Sequence, residues 1–154
     1  MLLPAQGKGF TLPPYASRVA LVALEVPPFR LLPLIPLALA QGAAVTLFSD
    51  PAPNPEVLQW VPASVEVGPV SALLTDITWP DYMALDLPLT ALPRLEALFQ
   101  GNGQSLPGQV LLRTDMPCHG VGDCQVCAVK TQRGWRKTCQ DGPVFSLAEV
   151  CHVV

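Results

Sequence analysis

Residues 18–26 read RVALVALEV, and the first seven of them contain only Val, Ala and Leu after the initial arginine. A continuous apolar run of this kind, without alternation of polar and apolar residues, is typical of a strand buried on both faces of a parallel sheet. The sequence therefore predicts a β-strand buried on both faces over residues 18–26.

Helix and strand patterns alternate after this run. LLPLIPLALAQG (31–42) predicts a helix with its prolines near the first turn and Gly42 as its stop. Further strands are predicted at 43–50, 64–68, 82–88 and 108–114, and helical segments at 54–61, 71–77 and 89–100. Such alternation predicts an α/β layer structure with a doubly wound parallel sheet, in which 108–114 is the last strand.

The composition and local patterns of the chain argue against several classes of protein. Half of the residues are hydrophobic and 14% are charged, which suits a folded domain with a large core. A net charge of -3 gives no reason to expect a nucleic acid partner. The longest apolar run, 29–42, is about a dozen residues long and contains two prolines, so we expect no membrane span. Residues 1–10 show no secretory signal pattern, and we expect a cytoplasmic protein.

The amino-acid composition of the chain changes near residue 113, after which Cys, Gly and charged residues are more frequent. We therefore expect two parts, an α/β domain over 1–112 and a Cys-rich subdomain over 113–154. CAVKTQRGWRKTCQDGPVF (127–145) predicts two short strands around a turn at Arg133-Gly134, a hairpin with a cysteine at each end.

Four of the five cysteines follow the spacing Cys118-x5-Cys124-x2-Cys127-x11-Cys139. Clustered cysteines in a reducing compartment favour a metal or cluster over disulfides, and both zinc and iron–sulfur clusters accept four thiolates. The spacing is similar to the plant-type [2Fe-2S] pattern C-x4-C-x2-C…C. Gly120 and Gly122 favour the cluster, because glycine permits the positive φ angles that bring backbone N–H groups close to sulfur. Zinc and unliganded thiols remain open as alternatives.

Two other residues near these ligands receive simpler interpretations. His119 lies inside the loop, and with four thiolates available we expect it to face solvent or to support the ligands. Cys151 lies close to the C terminus, and we expect it to pack as a small hydrophobic residue.

The segment MPCHGVGDCQVCAVKTQRGWRKTCQDGPVFSLAEV (116–150) resembles the C-terminal end of the electron-transfer subunit of class B dihydroorotate dehydrogenase, and CQDGPVFSLAEV is its most specific part. The resemblance implies a [2Fe-2S] cluster, with the metal ligands Cys118, Cys124, Cys127 and Cys139. One departure is visible, because the family has four residues between its first two ligands and this chain has five.

The resemblance extends over most of the chain. GKGFTLPP (7–14) is similar to the family's linker between a flavin-binding barrel and a nicotinamide-binding domain, and 30–48 resembles the first helix and second strand of that second domain. It implies a ferredoxin reductase-like, Rossmann-like sheet followed by a small [2Fe-2S] subdomain. Because this sequence begins where the barrel would end, we expect no FAD site.

The family's glycine-rich turn after the first strand, which admits pyrophosphate, is replaced here by ALEVPPF (23–29). No glycine remains, two prolines remove N–H donors, and Glu25 adds a negative charge. We therefore expect that NAD(H) does not bind.

These features lead to a [2Fe-2S] electron-transfer protein that is not catalytic alone and that serves an oxidoreductase. Its expected partner is a flavoprotein or a dihydroorotate dehydrogenase-like subunit, and a homodimer is possible. The alternatives are a subunit of a split flavin reductase and a zinc-binding structural or regulatory protein. We expect no catalytic residue.

Overall fold

The computed structural model describes residues 7–100 and 107–151 of the chain. The strands are β1 Arg18–Leu24, β2 Ala44–Asp50, β3 Glu66–Gly68, β4 Tyr82–Pro88, β5 Gly108–Arg113, β6 Ala128–Thr131, β7 Gly134–Lys137 and β8 Val144–Ser146. The helices are α1 Leu34–Ala40, α2 Pro55–Leu58, α3 Val70–Thr75, α4 Leu92–Phe99 and α5 Leu147–Val150, with 3-10 turns at Pro28–Arg30 and Leu89–Ala91.

Strand β1 lies at the centre of a six-stranded sheet of order β3-β2-β1-β4-β5-β8. It pairs in parallel with β2 on one side and with β4 on the other, so that Leu21 is opposite both Leu47 and Ala84. The chain therefore adds β2 and β3 on one side of β1 and then β4 and β5 on the other. This confirms the predicted Rossmann-like α/β fold, in which ligands bind at the carboxyl ends of the strands on either side of the first strand.

Both faces of the central strands β1 and β4 are buried, as the apolar run of β1 predicted. Alternate residues of this strand belong to different cores, Leu21 to the one beneath α1 and Val22 to the one beneath α3 and α4. Each core also receives large apolar side chains from its helices, such as Ile35 from α1 and Phe99 from α4. The alternation of side chains along a strand explains why an unbroken apolar sequence is needed here.

The helices are shorter than predicted, and their ends have local causes. Pro33 is the N-cap of α1, and Gly42, with φ of 82°, lies just after the helix in the left-handed conformation that ends many helices. At α2 the Asn54 side chain accepts a hydrogen bond from the N–H of Val57. None of the helices in the described ranges is long and apolar enough to cross a membrane.

Strand β8 was not predicted, and it is the only antiparallel member of the large sheet as described. It pairs with β5, placing Phe145 opposite Val110, and both side chains are buried. Strand β5, predicted as the last, thus lies inside the sheet. The Cys-rich tail consequently returns to the α/β core instead of standing apart, and the division into 1–112 and 113–154 stays a prediction from composition.

The hairpin of β6 and β7 forms as predicted, with its loop one residue earlier than expected. Its loop residues are Gln132 and Arg133, and Gly134 begins β7 with φ of 97°. The Thr131 hydroxyl donates to the carbonyl of Gly134 at 2.8 Å. This hairpin determines where two of the cysteines lie.

Candidate metal centre

Cys127 and Cys139 form a buried thiol pair at the base of the hairpin. Cys127 immediately precedes β6, and Cys139 follows β7 after one intervening residue. The antiparallel pairing therefore brings the two ends of the hairpin together. Their sulfur atoms lie 3.3 Å apart. The N–H of Thr138 donates to the carbonyl of Cys127 at 3.1 Å and holds the backbones in this relationship.

The two thiols of this pair differ in acidity. Burial, together with the neighbouring Cys127, raises the pKa of Cys139 to about 11. Burial also raises the pKa of Cys127, but hydrogen bonds from Cys139 and Thr138 outweigh it and leave that pKa below its ordinary value. One sulfur of the pair is therefore prepared to be a thiolate, the form that binds metals.

Cys118 and Cys124 form a second pair, nearer to solvent. Cys118 is half-buried and Cys124 is exposed. The N–H of Gly122 points at the sulfur of Cys118, with a nitrogen–sulfur distance of 3.4 Å. This N–H, followed by the thiol and N–H of Cys124, lowers the pKa of Cys118 to about 6. The loop therefore stabilises a thiolate at Cys118.

The loop between Cys118 and Cys124 accommodates its extra residue through left-handed backbone conformations. His119, Gly120 and Gly122 have φ angles of 52°, 88° and 90°, which confirms the positive φ predicted for both glycines. A side chain at Gly122 would also lie 2.3 Å from Nε2 of Gln140. The Nζ of Lys137 donates to the carbonyl of Gly122 and ties the loop to β7.

The four predicted ligands are thus arranged as two pairs. All are free cysteines, and Cys118 is close enough to Cys139 to raise its pKa electrostatically. Within residues 7–100 and 107–151, no three His, Cys, Asp or Glu side chains converge on a point where they could share one metal ion.

The remaining residues of this region agree with their simpler interpretations. Cys151 is buried among the side chains of the larger core, and burial raises its pKa to about 12. His119 is exposed. His152 lies outside the described residues.

The turn after β1, where the family resemblance would place pyrophosphate, contains a network of charged side chains. Glu25 is in the left-handed region with φ of 61°. Its carboxylate pairs with Arg94 of α4 at 3.1 Å, and Arg94 also pairs with Asp50 at the end of β2. Side-chain ion pairs therefore join the ends of β1 and β2 to the first turn of α4.

A second ion pair at the same edge of the sheet is deeper. Asp86 of β4 has no exposed surface, and Arg113 at the end of β5 donates to both of its carboxylate oxygens. Arg113 also donates to the carbonyl of Pro27 at 3.3 Å. Sequence reasoning assigned no role to Arg94 or Arg113. A signal was available for Arg113, which lies next to the end of the predicted strand 108–114, whereas Arg94 lies in the middle of the predicted helix 89–100.

Comparison with known proteins finds relatives for the Cys-rich part of the chain. Residues 114–151 match the family described as the iron-sulfur cluster binding domain of dihydroorotate dehydrogenase B. The electron transfer subunit of dihydroorotate dehydrogenase B (NAD(+)) from Clostridium perfringens is 49% identical over 41 residues, and that from Clostridium acetobutylicum is 38% identical over 47 residues. The matches cover 27% and 30% of this chain but only 16% and 19% of those subunits.

The fold has a wider match. A chain from the NADH-dependent reduced ferredoxin-NADP oxidoreductase structure, solved in a study of flavin-based electron bifurcation, superposes with a TM-score of 0.69 at 20% identity. The superposition covers 96% of this chain and 58% of that one. The chain therefore has a ferredoxin reductase-like fold, and its Cys-rich part resembles the iron–sulfur domain of the dihydroorotate dehydrogenase B electron transfer subunit.

Proposed function

We propose that Cys118, Cys124, Cys127 and Cys139 hold a [2Fe-2S] cluster and that the protein is a one-electron carrier for a redox partner. The observation on which this depends is the pairing of the thiols, with Cys127 and Cys139 at 3.3 Å and Cys118 beside Cys124. A [2Fe-2S] group has two irons and takes four cysteine thiolates, so two thiolates per iron suit a two-by-two set. A tetrahedral zinc ion would require all four on one centre.

The donor chemistry of the loop also suits this group. The N–H of Gly122 points at the sulfur of Cys118, and such hydrogen bonds to ligand sulfur tune a cluster's reduction potential. Gly122 can make this contact because a residue without a side chain tolerates φ of 90° beside Gln140. When bound, the cluster would accept and release a single electron.

The protein places the two thiol pairs in different environments. Cys127 and Cys139 are buried against the hairpin, which excludes water from that side, whereas Cys124 is exposed. An electron exchanged with another protein would therefore pass through the side formed by Cys118 and Cys124. No proton-donating side chain is required for such a transfer.

We further propose that NAD(H) does not bind at the turn after β1. The carboxylates of Glu25 and Asp50 and the guanidinium of Arg94 are mutually paired there. A pyrophosphate group would have to displace these pairs and would meet two carboxylates, where dinucleotide sites offer glycine N–H groups at a helix N terminus. The partner that reduces or oxidises this protein would accordingly be another redox protein, such as a flavoprotein or a dihydroorotate dehydrogenase-like subunit.

The test is anaerobic purification of the full chain, followed by assays of iron, acid-labile sulfide and zinc on one sample. We expect about two irons and two sulfides per chain, visible absorption that bleaches with dithionite, and a paramagnetic signal from the reduced protein. One zinc per chain without sulfide would refute the proposal, as would protein that stays free of metal and sulfide after anaerobic reconstitution.

A further inference from the structure

The β6–β7 hairpin is a basic surface on an acidic protein. Residues 130–137, KTQRGWRK, contain four of the nine Lys and Arg residues of the chain and no Asp or Glu, whereas the chain as a whole is net negative. Among the described residues, Lys130 and Arg133 form no ion pair, and Arg136 has a single partner, Asp141, at 3.8 Å. The positive charge of the hairpin is therefore largely uncompensated.

A large aromatic side chain, that of Trp135, lies among these basic residues. Trp135 is directly opposite Lys130 in the hairpin register and is 72% exposed. Cross-strand neighbours of this type project from the same face of a hairpin, so the indole and the ammonium group share one face. An exposed tryptophan with cations beside it is typical of the residues that dominate protein–protein interfaces.

This face is continuous with the proposed cluster loop. Gln125, the residue after Cys124, lines one surface depression of about 450 Å³ together with Trp135, Arg136 and Lys137. The Nζ of Lys137 donates to the carbonyl of Gly122 inside the loop. The basic face is thus joined by direct contacts to the loop that contains the more exposed thiol pair.

We propose that the hairpin face of Lys130, Arg133 and Trp135 docks an electron-transfer protein that has an acidic surface around its own cofactor. The inference rests on the proposed function, because it is the closeness of the face to the cysteine loop that favours a redox partner. Opposite charges would draw the partner to the loop and orient it there. Trp135 would supply the apolar contact at the centre of a small, transient interface.

The test measures association of the full, cluster-loaded chain with two probes of opposite charge. Flavodoxin is an acidic flavoprotein, and cytochrome c is a basic haem protein. We expect flavodoxin to bind at low ionic strength and to be released as salt is added, with cytochrome c binding at least tenfold more weakly. Arg133→Glu together with Lys130→Glu should weaken flavodoxin binding about tenfold or more at low salt. Arg30→Glu changes an exposed arginine on the turn after β1 and should leave it unchanged.

A second variant separates the two contributions. Trp135→Ala should weaken binding while preserving its dependence on salt, because the indole is uncharged. Equal loss of binding in the Lys130→Glu, Arg133→Glu double variant and in Arg30→Glu, or preference for cytochrome c, would overturn the proposal. It would also be overturned if a nucleic acid bound more tightly than flavodoxin at the same ionic strength, or if the charge reversals instead abolished a homodimer in sedimentation.

Failure of this inference is distinguishable from failure of the proposed function. Iron and sulfide analysis of the same sample decides the cluster, and binding of flavodoxin is measured independently of electron transfer. Protein that contains two irons per chain but binds flavodoxin and cytochrome c equally well would refute the docking inference and leave the proposed cluster intact.

Discussion

The sulfur atoms of Cys127 and Cys139 lie 3.3 Å apart across the base of a β-hairpin. The pairing of Ala128 with Lys137 produces this closeness, since it is the last register pair before the two cysteines. Strand pairing thus brings two of the four proposed ligands together before any metal binds. The other two proposed ligands, Cys118 and Cys124, lie at the ends of a loop that contains left-handed residues.

Each of the four proposed ligands should be required for metal content, whereas the fifth cysteine should not. We expect Cys118→Ser, Cys124→Ser, Cys127→Ser and Cys139→Ser to lose most of their iron and sulfide, because a neutral hydroxyl is a poor substitute for a thiolate. Cys151→Ser is the matched control, since this buried thiol belongs to the apolar core. Iron and sulfide per folded chain are the measurement. Full retention in Cys118→Ser would show that the longer gap has displaced this ligand.

Gly122 should be more sensitive to substitution than Gly134, although both have positive φ. Alanine at either position should cost about 1–2 kcal/mol of backbone strain. At Gly122 the added Cβ would also push aside the flexible Gln140 side chain, and the backbone strain would act on the N–H that points at the sulfur of Cys118, whereas at Gly134 the Cβ would meet open space. We expect Gly122→Ala to lose iron faster on exposure to a chelator, and Gly134→Ala to behave like the parent. Equal rates of loss would contradict a role for the Gly122 backbone at the sulfur of Cys118.

Arg113 should contribute strongly to stability because its partner is buried. Arg113→Met leaves the carboxylate of Asp86, which has no exposed surface, without its cation. Removal of one member of a buried pair costs about 3–5 kcal/mol, and we expect a loss of that size in the free energy of unfolding by urea. Arg94→Met breaks pairs that are nearly half exposed and should have a far smaller effect. Similar losses in the two variants would mean that burial of Asp86 is not decisive.

NADH should not bind to the full chain. We expect isothermal titration to show no saturable heat and saturation-transfer NMR to show no transfer to NADH, because Glu25, Arg94 and Asp50 occupy the strand ends with paired charges. A saturable micromolar signal that Glu25→Lys changes would place the nucleotide at this turn and refute the proposal.

Cys151 should make the fold less stable at alkaline pH. Its ordinary pKa is 9.0, and burial raises the pKa of the folded protein to about 12. Below pH 9 the thiol is neutral in both states and has no effect on pH dependence. Between pH 9 and pH 12 only the unfolded chain releases the proton, so the free energy of unfolding falls. Cys151→Ala should remove this part of the decline in urea titrations. An unchanged slope would show that the thiol is accessible to water.

The sequence alone determined the parts of this protein that depend on local patterning. The unbroken apolar run of β1 requires burial on both faces, and this implied a parallel sheet with helices on either side. The positive φ of Gly120 and Gly122 was also foreseeable, because few other residues adopt that conformation easily. The cysteine spacing favoured an iron–sulfur domain over zinc or free thiols, and residues 114–151 match a family of that description.

Only the tertiary structure decided which distant residues meet. The short strand β8 has no strong pattern of its own, and its pairing with β5 depends on an edge that the rest of the sheet provides. The same holds for Arg113 with Asp86 and for Arg94 with Glu25, whose partners lie far away in the chain. Such contacts form because the topology brings the carboxyl ends of parallel strands to one edge. The sequence shows which residues are charged, but the order of the strands determines which of them become partners.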